Sequence, residues 1–206
     1  MIQETVTHTT TNYKSPHTHI IMDWKETIKR AHKTAVEHGF WDAKPNYLHL
    51  AMLVITELSE AIDADRHGRY ADRGKYEDMC RGIDERVPDF AVRIEKRKEA
   101  FDMCIKDPVE DELADACIRL MDMMGQYESV IISDEEFTAD AGKPLTEFCF
   151  CATMALMAPL GEKYAMEKAI DMILAYARRK HIDIEWHICE KMAYNEQRPR
   201  FNGKKY

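Results

Sequence analysis

Apolar residues recur at helical spacing along most of this chain, and nowhere do they alternate as in a half-buried strand. Over residues 46–67, Leu50, Leu53, Val54, Leu58 and Ala61 fall on one stripe when each residue turns by about 100°. Val109, Leu113, Ala116, Cys117, Leu120 and Met124 do the same over 108–124. A thinner stripe of Val87, Phe90, Ile94, Phe101 and Ile105 runs through the charged segment 84–105. Asp23 is placed to cap a helix running to about His38, with Gly39 as its stop. Asp107 as N-cap, Pro108 in the first turn and Glu110 three residues after the cap predict the start of the helix over 108–124. Further helices are expected over 144–158, 161–180 and 183–196. Gly68, Gly74 and Gly82 mark a polar, broken stretch, and 126–143 is a connection with little pattern. Residues 1–20, aperiodic and rich in Thr and His, read as a disordered N-terminal arm. The expectation is an all-α helical bundle, one domain over 21–206.

The stripes make two acidic pairs conspicuous. Glu57 and Glu60 lie three apart on the first of these helices, Glu112 and Asp115 three apart on the other. Each pair points one way. Glu57 falls inside its apolar stripe and Glu60 on the border; Glu112 sits at the edge of its stripe, with Asp115 farther round. Two such helices face to face would gather four carboxylates, which repel unless they protonate or bind cations. Clustered oxygen donors suit Mg²⁺ or Mn²⁺. Spacing alone does not separate this from solvated helix acids, of which a chain with 37 acidic residues has many. The apolar surroundings of Glu57 separate the two there, because an ionised carboxylate facing a core needs a partner. Arg119, four residues after Asp115, is positioned to pair with it.

Composition narrows the field. With 206 residues, 8 Gly and 7 Pro, the chain can build one substantial helical core. A net charge of −8 argues against broad contact with a nucleic-acid polymer, although bound metal would reverse the sign locally for a small phosphorylated ligand. The six cysteines form no C-x-x-C pair and read as reduced core thiols of a cytoplasmic protein. No apolar run is long enough to cross a membrane, and no secretory signal is expected. On the last helix Lys191, Asn195 and Arg198 share a face. They read either as a grip on a polyphosphate or as a basic helix end that complements the helix dipole. Motifs for nucleophilic serine, P-loop, dinucleotide and H-E-x-x-H zinc chemistry are absent. No Glu is followed by His at the third position, which demotes a di-iron bundle.

Taken together, Thr56-Glu57-Leu58-Ser59-Glu60-Ala61-Ile62, Asp111-Glu112-Leu113-Ala114-Asp115-Ala116 and Lys191-Met192-Ala193-Tyr194-Asn195-Glu196-Gln197-Arg198-Pro199 resemble the MazG-like all-α nucleoside triphosphate pyrophosphohydrolases. That family's hallmark is E-E-x-x-E on one helix and E-x-x-D on the next. Thr56 stands where the first Glu would be. Residues 66–107 resemble a helical insertion between the two acidic helices. The resemblance implies Mg²⁺-dependent hydrolysis of a nucleoside triphosphate, a deoxynucleotide first, to the monophosphate and pyrophosphate. It implies Glu57, Glu60, Glu112 and Asp115 as catalytic metal ligands, with Mn²⁺ as a substitute ion. Lys191 and Arg198 would meet phosphates, Asn195 the sugar or base, and Trp41 or Tyr47 the base face. A homodimer or homotetramer is implied as well. A non-catalytic module of the same fold, binding nucleotide or a protein partner, is the competing expectation.

Overall fold

Short polar side chains fix where the helices begin. Asp23, Asn46, Asp72, Asp89 and Asp183 each accept the backbone N–H of the residue three positions on, satisfying a donor the helix cannot pair itself. The computed structural model describes residues 22–126, 142–159 and 161–203; the arm over 1–20 and most of the connection over 126–143 lie outside them. Among the described residues there are eight α-helices and no strand: α1 (Trp24–Glu37), α2 (Tyr47–Arg66), α3 (Arg73–Arg86), α4 (Phe90–Cys104), α5 (Val109–Met124), α6 (Leu145–Leu156), α7 (Glu162–Arg179) and α8 (Ile184–Asn195). A 3₁₀ turn, Arg200–Gly203, follows. The fold is all-α.

The centre of the bundle is α5. It packs on α1, α2, α7 and α8, so it is apolar around most of its circumference. Leu113, Ala116, Cys117, Leu120 and Met121 are fully buried there. α6 and α7 form a second layer, with Phe148 stacked on Tyr176 at 4.1 Å. All six cysteines are free thiols, four of them buried. No helix among the described residues is long and apolar enough to cross a membrane.

Three local expectations need correction. The polar stretch with Gly74 and Gly82 is helical, as α3. Each glycine costs about 1 kcal/mol against alanine, but Tyr76 and Cys80, one turn apart, are buried and offset it. The helix expected over 84–105 is broken instead at Val87, which is extended because a proline follows it; Phe90, placed on its stripe, is solvent-exposed. The start of α5 also differs. Pro108, not Asp107, is the N-cap, and Asp107 takes a positive φ of 69°. Its N–H donates to Asp111 Oδ2 at 3.0 Å. Glu110 reaches away from the expected box and accepts Ala71 N–H at 3.0 Å, tying α5 to the loop before α3.

The α3–α4 hairpin docks through its own small core. Tyr76 meets Phe101 and Trp186 edge-on, and Phe101 stacks on Tyr194 at 4.5 Å. Beside it His187 is 5% exposed, and among the described residues its Nδ1 has no hydrogen-bond partner. Burial, and then Arg73, pull its pKa down to about 4. An unfolded His takes its proton near 6.5 while the folded one refuses until about 4. Stability is therefore lost as pH falls across that window, by roughly 3 kcal/mol from this group. His187→Phe should unfold in urea with a smaller drop between pH 7 and pH 4.5 than the native protein. Equal drops would show that His187 is not the acid-sensitive group.

A candidate metal centre beside an apolar cavity

α2 and α5 run against each other, and this contact decides which carboxylates meet. Glu57 on α2 is 2% exposed and faces α5. Glu112 and Asp115, one turn apart on α5, face it in return. One oxygen from each of the three lies within 4.8 Å of the others. Glu60 is exposed and outside this group, close enough only to push weakly on Glu57 through its charge. The expected quartet is thus a trio, buried at Glu57 and Glu112 and half-buried at Asp115, with Glu60 at its rim.

Two cations come with the trio. Arg119 on α5 donates through Nε to Glu57 across the helix contact, rather than pairing with Asp115 on its own helix. Lys191 on α8 is 3% exposed, and its Nζ lies 2.9 Å from Asp115 Oδ2 and against Asp111 Oδ2. The resemblance gives Lys191 a phosphate to hold; the fold commits its ammonium to two carboxylates instead. Burial disfavours that charge, but Asp115 and Asp111 outweigh it and hold Lys191 well above the usual lysine range. Asp111, fully buried, was not among the sequence candidates. Its one legible signal is that it precedes Asp115 by four residues and so shares its face. Asn195, one turn after Lys191, donates to Asp115 Oδ1 at 3.5 Å, while among the described residues its own Oδ1 is buried without a hydrogen bond.

The charges do not balance. Glu57, Glu112, Asp111 and Asp115 set four carboxylates against Arg119 and Lys191, a net of −2 if all ionise. Glu112 carries the excess. It is 5% exposed, and among the described residues nothing hydrogen-bonds its side chain. Burial, and then the neighbouring Asp115, push its pKa up to about 9. Burial and Asp115 raise Glu57 too, against the pull of Arg119. A carboxyl group in this position either keeps a proton at neutral pH or yields it to a cation. The donors are all oxygens, the set that hard divalent ions take. The residues present therefore fit a divalent cation.

One member of the cluster, Asp115, lines a cavity of about 240 Å³. Arg119, Asn195 and Arg198 line it too. Leu50, Leu53, Ile118, Met192 and Phe201 make the rest largely apolar. Trp41 is not in the lining. Its indole N–H donates to Asp122 Oδ1 at 2.8 Å, the oxygen that His32 Nδ1 also meets at 2.9 Å. Tyr47 likewise turns away, donating to Leu156 O at 2.6 Å. The aromatic faces on the cavity belong to Phe40 and Phe201, neither of which periodicity singles out. No protein-family model matches this chain, and no curated protein or solved structure matches it significantly.

Proposed function

We propose that this chain hydrolyses a nucleoside triphosphate, a deoxynucleotide first, to the monophosphate and pyrophosphate with the help of a divalent cation. One observation carries the reading: Asp115 belongs both to the carboxylate trio and to the lining of a largely apolar cavity that also holds Arg119, Asn195 and Arg198. Charged and polar groups in an otherwise apolar cavity suit a triphosphate joined to a base.

Glu57, Glu112 and Asp115 would hold Mg²⁺ or Mn²⁺, and such an ion supplies neutralisation of triphosphate charge and a more acidic water. The chain's own residues do the positioning. Lys191, buried between Asp111 and Asp115, fixes the direction in which Asp115 presents its oxygens. Asn195, which lines the cavity, offers its side chain to the sugar or base. Leu50, Leu53 and Phe201 keep water from the base. Arg198 meets phosphate charge from the cavity edge.

The test is pyrophosphate release from a panel of nucleoside and deoxynucleoside triphosphates with Mg²⁺, Mn²⁺ or EDTA. Metal-dependent release with a monophosphate product is expected. A folded protein that binds metal and nucleotide but releases nothing would leave the non-catalytic binding module.

A further inference from the structure

Arg119 stands between the two halves of the site. Its Nε donates to Glu57, and the same side chain lines the cavity next to Asp115, Asp122 and Asn195. It is 27% exposed at its side chain, whereas the Glu57 side chain it covers is 3% exposed. A divalent ion held by Glu57 would share its carboxylate with Arg119, whose Nε takes one of the two oxygens. A guanidinium and a divalent ion on one buried carboxylate would also repel each other strongly. Arg119 thus touches the trio through Glu57 and the cavity through its own place in the lining. On the cavity side Asp122 is already engaged by His32 and Trp41. A planar guanidinium fork released there matches a phosphate group, as Arg198 in the same lining does.

We infer that Arg119 is the resident counter-ion of the metal-free centre, and that cation binding to Glu57 releases it to a phosphate of the nucleotide. This rests on the metal-dependent triphosphate reading above. It makes metal and nucleotide bind cooperatively through one side chain. Nucleotide arriving without metal finds Arg119 still held by Glu57.

The experiment is a double-mutant cycle on Arg119→Gln and Glu57→Gln, reading Mn²⁺ affinity by electron paramagnetic resonance and binding of a non-hydrolysable α,β-imido triphosphate by calorimetry. Arg119→Gln should bind Mn²⁺ about tenfold tighter than the native protein, and change it less than about twofold once Glu57 is Gln. No gain, or an equal gain on both backgrounds as a general field effect would give, overturns the inference. Without metal, Glu57→Gln should bind the analogue about tenfold tighter, and lose that gain when Arg119→Gln is added. Should Arg119→Gln not fold, the single Glu57→Gln comparison still decides: unchanged metal-free affinity overturns the release. Absence of Mn²⁺ binding by the native protein would overturn the metal reading itself. Mn²⁺ binding that ignores Arg119 would overturn only this inference.

Discussion

Replacing Asp115 with Asn is expected to cut metal-dependent pyrophosphate release by about 10³-fold or more. Asp115 lies where every part of the site meets. Its oxygens belong to the carboxylate trio, accept from Lys191 and Asn195, and form part of the cavity wall. The amide keeps the shape but loses the charge and turns one acceptor into a donor facing Lys191. Glu60→Gln should cost far less, about tenfold, because that carboxylate is exposed and outside the trio. The measurement is kcat and KM for both variants at saturating Mg²⁺, with circular dichroism to verify folding. Asp115→Asn retaining a tenth of native turnover would sink the assignment. So would Glu60→Gln losing as much as Asp115→Asn, which would return the site to the evenly shared quartet that the motif spacing suggests.

Lys191→Met is expected to destabilise the fold by about 3–5 kcal/mol, the range for breaking a buried pair from one side. Asp111 would be left fully buried, with its Oδ1 already lacking a hydrogen bond among the described residues and its main cation gone. Burial already raises the Asp111 carboxyl, and Lys191 is what draws it back. Without Lys191 it rises further, so the variant relies on protonating Asp111. The unfolded chain sheds that proton near the ordinary carboxylate range. The stability gap between variant and native protein should therefore widen as pH rises from 6 to 8. Urea unfolding at the two pH values measures it. A gap under about 1 kcal/mol, or one that narrows with pH, would mean that Asp111 is not held by Lys191.

The fold was legible where local chemistry agreed with burial. The stripes on α2 and α5 are apolar at helical spacing, so the type of both elements could be read directly, although the cap expected for α5 was not the one formed. α3 was not, because two glycines and many charges mask a buried face of only Tyr76 and Cys80. That face exists because Trp186 and Phe101, distant in sequence, pack on it. The site divided in the same way. Glu57 was legible as a carboxylate inside an apolar stripe. The position of Trp41 outside the cavity lining was not legible, because an indole N–H takes whatever buried acceptor is near, and Asp122 lies 81 positions along the chain.

By itself the sequence determined the helix class, the helices that carry the acidic pairs, and the burial of Glu57, because these follow from side-chain spacing within one element. Only the tertiary structure decided which carboxylates converge and which cation each one meets. Arg119 could reach Asp115 along its own helix, yet the α2–α5 contact puts Glu57 against it. Lys191 could have faced solvent at a helix end, yet α8 lies on α5 and drives it between Asp111 and Asp115. In both cases the partner lies on another helix, and a buried charge takes the partner that packing brings to it rather than the one that spacing offers.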